Sequence, residues 1–333
     1  MISDRVKSSL KQEFSNSLLA KIGVVLLVAI FLMALFAPFI ATHNPNETGY
    51  FSDRGNPYPP VGHEYEATIS EGGEFAEVTV EPNSEHVLGT NNVGQDVFSR
   101  FVYGARVSVL VGLFGTALAM LIGVPYGLIA GYYGGRVDDG MMRVADVMLS
   151  FPALVLALAL IGAFESSTIS IPDPFVQLGL ADGMPESIPL PGTVTIVAAL
   201  VIWVWFARVA RGEALSIRNQ EYVKAAQSFG ANNRTILLKH VLPNSVTPII
   251  VLATIQVAVI ILLEASLAFL GFSGTTLSWG FEIERGQDLL RTRPWVAIFP
   301  GIGIVLTVIA VNLIGDWLRD ALDPNVEGSE RGA

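Results

Sequence analysis

Apolar residues run almost unbroken through six stretches of this chain, and polar residues gather between them. The stretches cover residues 22–41, 107–132, 144–164, 188–206, 246–272 and 296–314. Each is close to the ~20 residues that a helix needs to cross a hydrocarbon core ~30 Å thick, so each is predicted to be a membrane span. The fourth is the least regular, because Pro189 and Pro191 leave a clean apolar run only from Thr193. The first exceeds the apolar region of a secretory signal and no clear small-x-small cleavage site follows it, so it is expected to be a retained span.

Between the spans the pattern changes period. Residues 64–80 alternate, and Gly72-Gly73 suits a two-residue turn, which predicts a β-hairpin. Pairing outward from that turn sets Ile69 opposite Ala76, Ala67 opposite Val78 and Tyr65 opposite Val80. Farther on, Val93, Val97, Phe98, Phe101 and Val102 recur at helical spacing and predict an amphipathic helix in the membrane interface, leading into the second span. The polar stretch after the fourth span reads EYVKAAQSFGANNRTILLKHVLPN, residues 221–244. Its Tyr222, Ala225, Ala226 and Phe229 share one helical face. Gly230 fits the left-handed position that ends a helix, and Asn232 or Asn233 can cap a second one. Pro243 and Pro248 are expected to break the chain before the fifth span. Pattern alone leaves two uses for the alanine face open: a groove on another protein, or the ends of the chain's own spans.

Composition sharpens this picture. Of 333 residues 51% are hydrophobic and 15% charged, against about 25% charged in soluble domains, and mean hydropathy is +0.53. A net charge of −10 argues against a nucleic-acid partner. Cysteine is absent, so outer loops have no disulfide and are expected to be held by packing alone. With the N-terminus inside, only Arg54, Arg100, Arg106, Arg285, Arg291 and Arg293 of the 20 Lys and Arg fall outside, so both termini and residues 221–244 are expected to be cytoplasmic. The prediction is an all-α membrane protein of six transmembrane helices with a small extracellular β-hairpin insert. Its parts are a cytoplasmic segment and first span (1–41), an extracellular loop (42–106) with hairpin 64–81 and the interfacial helix, a five-span core (107–314) carrying a cytoplasmic loop (207–246), and a cytoplasmic tail (315–333).

Candidate chemistry is sparse. His43, His63, His86 and His240 all lie outside the spans, and no metalloprotease, serine-hydrolase or P-loop motif occurs. No catalytic residue, cofactor or metal site is predicted. Asp146 lies near one end of its span and is expected to be solvated, whereas Glu264 lies deep in its own. For Glu264 a proton relay, a pathway contact and a locally hydrogen-bonded structural role all stay open. Gly123, Gly127 and Gly131 form a doubled G-x-x-x-G, which favours close helix packing.

The stretch at 221–244 resembles the EAA loop of ABC-importer membrane subunits, in particular the dipeptide/oligopeptide permease family. Ala225 and Ala226, Gly230 after three further residues, and Leu242-Pro243 meet that family's pattern. Residues HVLGTNNVGQDVFSRFVYGARVSVLVG, GGRVDDGMMRVADVMLSFPALVLALAL, LEASLAFLGF, LSWG and FPGIGIVLTVIAVNLIGDWLRDALDPN resemble it too. Departures are Lys224 where the pattern has Glu, which moves the acidic role to Glu221, and Gln95 where the family often has Arg. The resemblance implies a second homologous permease subunit, two cytoplasmic ATP-binding subunits that hydrolyse ATP, an extracellular solute-binding protein and a lipid bilayer. It also implies that Glu221, Tyr222, Ala225, Ala226, Phe229 and Gly230 contact the ATPase, while His240, Leu242 and Pro243 set the loop geometry. Glu264 is the candidate pathway residue. The rival expectation is a proton-coupled secondary transporter, which would want several intramembrane acids or histidines.

Overall fold

A computed structural model describes residues 13–71, 74–272 and 274–322. Five helices are long and apolar enough to cross a membrane, and a bent pair makes a sixth candidate. The first is α1 (Leu18–Leu35), capped by Ser17, whose hydroxyl accepts from the Ala20 amide at 3.1 Å. A short α2 (Ala37–Ile40) follows with Pro38 in its first turn, so the predicted 22–41 span starts earlier and is divided.

The long helix α3 (Val97–Tyr133) has 37 residues, about 55 Å. It absorbs the predicted interfacial helix: residues 97–102 are its opening turns and are largely buried. The reason is that Asp96 caps the helix through the Ser99 amide, and no breaker lies between there and the apolar run. Arg100, counted in the sequence as an outer-loop charge, is buried against Glu282 at 2.6 Å.

The third predicted span is bent. Helices α4 (Gly135–Leu149) and α5 (Ala153–Ala163) meet at 92°. Pro152 explains this, because its ring disfavours helical backbone at Phe151. The fourth span also differs. Residues 187–191 form β4 (Ser187–Pro191), antiparallel to β3 (Thr168–Pro172) with α6 (Pro174–Gln177) between them, a sheet not expected from the sequence. Helix α7 (Gly192–Ile217) begins only after Pro191 and runs on past Arg208 and Arg211, which pair with Asp146 and Asp138 of α4.

The first hairpin pairs as expected. β1 (Tyr65–Glu71) and β2 (Glu74–Val80) are antiparallel, with Tyr65 opposite Val80, Ala67 opposite Val78 and Ile69 opposite Ala76. The turn assigned to Gly72-Gly73 lies outside the described residues.

Beyond α7 come α8 (Glu221–Ser228) and α9 (Asn233–Ile236). The latter runs through a π turn (Leu237–Val241) into α10 (Leu242–Phe269) without the break expected at Pro243 and Pro248. A proline ring strikes the carbonyl four residues back, and a π turn shifts the ladder at that point. Asn244 Nδ2 donates to His240 O at 2.6 Å and Ser245 Oγ to Val241 O at 2.9 Å, so side chains cover carbonyls near the proline. The chain closes with α11 (Trp279–Gly286) and α12 (Trp295–Leu322).

One seam organises the bundle. Helices α3 and α7 run parallel, and a Cβ on Gly123, Gly127 or Gly131 would overlap the Trp203, Ala207 or Arg211 carbonyl respectively. The doubled G-x-x-x-G lets two backbones touch. Outward, α1 leaves Leu18, Val25 and Phe31 exposed, as a lipid-facing helix should.

Candidate functional site

The best-defined candidate lies where α8 stands off the bundle. A helix of 8 residues is too short to be stable alone, so its position depends on how it is rooted. Val223 is the root: it is fully buried in the main apolar core. A polar tie accompanies it. Gln227 Nε2 donates to the Tyr132 hydroxyl at 3.4 Å, and that hydroxyl donates to Asn233 Oδ1 at 2.9 Å. One phenol at the end of α3 thus touches α8 and α9 together. Arg218 Nη1 donates to Gly131 O at 2.9 Å and holds the preceding turn to the same end of α3.

The far end of α8 is closed by backbone geometry. Gly230 has φ 82°, as expected for the left-handed position. Its N–H donates to Gln227 O at 2.9 Å and that of Ala231 to Ala226 O at 3.0 Å, the paired bonds of a Schellman cap. Asn232 then caps α9, its Oδ1 accepting from the Thr235 amide at 2.8 Å. Of the two asparagines that could cap, Asn232 does so, and Asn233 serves the Tyr132 tie.

This rooting decides which residues face outward. Phe229 is 91% exposed and Tyr222 46% exposed, with Ala225 exposed between them. Ala226 is half-buried on the inner flank beside Val223. Glu221 is exposed in the first turn, where its charge suits the helix dipole, and Lys224 is exposed beside it. The structure therefore brings Glu221, Tyr222, Ala225 and Phe229 to one outward surface, with Gly230 at its edge. The His240 ring lies 6.2 Å from that of Tyr222, tilted by 49°. Leu242 is half-buried against the core, and Pro243 is exposed in the first turn of α10.

Glu264 is not part of this surface. It is fully buried in α10, with Ser108 Oγ 3.5 Å from its Oε2, and the Ser108 hydroxyl accepts the Trp279 amide at 3.2 Å. Among the described residues its Oε1 has no hydrogen-bond partner. Asp146 is exposed and paired with exposed Arg208 at 2.6 Å.

Sequence reasoning missed Val223, Gln227 and Tyr132. For the first two a signal existed, since Val223 and Gln227 fall at i and i+4, on a different face from Tyr222, Ala225 and Phe229. For Tyr132 none did, because its partners lie 95 and 101 residues away.

Comparison with known proteins decides the family. Residues 123–328 match the model of the binding-protein-dependent transport system inner membrane component. The chain belongs to this family. Residues 11–60 also match the N-terminal transmembrane domain of oligopeptide transport permease C. The dipeptide transport system permease protein DppC of Alkalihalophilus pseudofirmus is 34% identical over 95% of this chain and 89% of its own. The oligopeptide transport system permease protein OppC of Bacillus subtilis is 33% identical over 94% and 88%. The glutathione transport system permease protein GsiD of Pectobacterium atrosepticum is 38% identical over 74% and 75%. In fold, the chain is similar to a membrane chain of the inward-facing MetNI methionine ABC transporter, with TM-score 0.51 and 16% identity over 67% of this chain and 97% of that one. This inner membrane component is thus an ABC-transporter permease, a multi-pass cell-membrane protein that works with other transporter subunits rather than as an enzyme. Nothing in the comparisons favours the proton-coupled alternative.

Proposed function

We propose that the chain is one of two homologous permease subunits of an importer for dipeptides, oligopeptides or a related solute. The names of its relatives support peptide cargo. In this reading the N- and C-termini and α8 are cytoplasmic, the β1–β2 hairpin is extracellular beside a solute-binding protein, and two ATP-binding subunits power transport. The observation that carries the reading is the outward face of α8, Tyr222–Ala225–Phe229, on a helix rooted by Val223 and closed by Gly230. A nearly naked phenylalanine beside an alanine leaves room for another protein's groove wall to approach closely.

The mechanism follows from the rooting. When ATPase closure displaces α8, the Gln227–Tyr132–Asn233 tie passes that displacement to α3 and to the α9–α10 rod. Because the glycine seam leaves no slack between α3 and α7, those two helices move as one body. The bundle is then a two-state element biased by a docked partner.

The test is a mild-detergent purification of tagged chain from its native membrane, with co-purifying proteins identified by mass spectrometry. A second permease and ATP-binding subunits are expected with the unmodified chain, and the ATP-binding subunits should be lost from Ala225→Trp. Recovery of the same ATP-binding subunits with Ala225→Trp would remove α8 as their docking site. Recovery of the chain alone would overturn the importer assembly.

A further inference from the structure

At the end of the bundle remote from α8, three side chains from separate segments converge: His43 after α2, His86 after β2, and Asp96 at the start of α3. Their ligand atoms all lie within 4.8 Å of one another. His86 Nδ1 is 3.0 Å from Asp96 Oδ1, and His43 Nδ1 is 4.0 Å from Asp96 Oδ2. Donors around a tetrahedral zinc at ~2.1 Å stand about 3.4 Å apart; the two contacts, one to each oxygen of the carboxylate, lie on either side of that spacing, and His43 Nδ1 also lies 3.0 Å from Thr42 Oγ1.

The surroundings fit as well. The Asp96 side chain is fully buried, and among the described residues its ion-pair partners are these two imidazoles, with no Lys or Arg. A buried carboxylate calls for compensating charge. Ser99 N and Oγ each donate to Asp96 Oδ2 at 2.7 Å, and the Thr42 hydroxyl lies 3.3 Å from it, which fixes the carboxylate's orientation. Tyr50 packs on both imidazoles, at 4.9 Å from His43 and 4.7 Å from His86, and Tyr58 stacks on His86 at 5.7 Å. Those rings wall the cluster, while the His43 side chain keeps 19% exposure and leaves one side open.

We propose that His43, His86 and Asp96 bind one divalent transition-metal ion through two imidazoles and a carboxylate, with water in the remaining position. The donor set selects zinc and its first-row neighbours over calcium or magnesium, which prefer oxygen. The ion staples the long outer loop to the capped end of α3. In a chain without cysteine, it does there what a disulfide would do.

The test uses the full-length chain on a tag without histidine, with whatever subunits co-purify, stripped by EDTA and titrated with Zn(II) against a chromophoric chelator. One equivalent per chain is expected, with affinity falling at least tenfold in His43→Gln and in His86→Gln and unchanged in His63→Gln. His86 is buried and its variant can misfold, so the partly exposed His43→Gln is decisive once its circular dichroism matches that of the unmodified chain. Absence of a tight equivalent in the unmodified chain, or unchanged affinity in folded His43→Gln, overturns the site. Loss of the equivalent in His63→Gln overturns it too.

Discussion

Two regions of this permease are built from small residues and use them in opposite ways. Along the α3–α7 seam, Gly123, Gly127 and Gly131 are buried, and each meets a backbone carbonyl of α7. On α8 and its cap, Ala225 is exposed and Gly230 has nothing within 4 Å of where a Cβ would stand. Smallness in the first case is consumed inside the chain. In the second it is left over, on a surface that also presents Phe229. Composition cannot separate the two cases, because the difference lies in whether the chain itself supplies a neighbour.

The strongest way to break the comparison is to add one methyl group to the seam. Gly127→Ala places a Cβ against the Ala207 carbonyl, and only movement of a whole helix relieves it. Overpacking of this kind costs about 3 kcal/mol or more where backbone must shift. Thermal unfolding of the purified chain should drop sharply, with lower yield in the membrane. Unchanged unfolding would mean that α3 and α7 are not in backbone contact.

At the exposed face the same logic inverts. Ala225→Trp should alter the chain's own unfolding by less than ~0.5 kcal/mol, as surface changes do. It should weaken binding of the ATP-binding subunits by about 2 kcal/mol, roughly thirtyfold. Thermal unfolding of the unmodified and Ala225→Trp chains reads the first number, and titrating purified ATP-binding subunits onto both reads the second. A seam-like loss of stability would show that Ala225 packs on its own bundle.

What was legible in the sequence follows a physical line. The hairpin register, the Gly230 cap and a cap at Asn232 or Asn233 obey rules that act within a few residues, so the pattern reached them, and the structure chose Asn232. The bend at Pro152 was written in the chain, but an apolar run reads as one span whether or not a proline turns it through 92°. The continuous α9–α10 rod reversed a local rule, because the π turn and the Asn244 and Ser245 side chains accommodate Pro243. Arg100 with Glu282, Arg106 with Asp173, and the His43–His86–Asp96 cluster join residues far apart in the chain. A single sequence carries no signal for such pairings, and charges counted as outer-loop residues turned out to be buried.

A smaller effect sharpens the exposed side. Gly230→Ala forces a side chain into φ 82°, which costs ~1 kcal/mol in the left-handed region. Nothing crowds the new methyl, so the cost is conformational and local. Amide exchange should quicken across Glu221–Ser228 while the α3–α7 seam keeps its protection. Equal loosening in both places would mean that the cap and the seam belong to one cooperative unit.

The last prediction concerns the residue joining the two regions. Tyr132 lies one position beyond Gly131 on α3, and its hydroxyl meets both Gln227 of α8 and Asn233 of α9. Tyr132→Phe keeps the ring and deletes the tie, at a cost of about 1 kcal/mol or less, since a hydrogen bond contributes about that much net. The proposed docking face is untouched, so ATP-binding subunits should bind the variant with unchanged affinity. Displacement of α8 would then no longer pull on α3 through this phenol, and ATP hydrolysis should yield less transport per turnover in reconstituted vesicles. If binding, hydrolysis and transport all keep their ratios, the link between the surface and the seam runs through buried Val223 and apolar packing. A double variant, Val223→Ala with Tyr132→Phe, would then distinguish two parallel links from one.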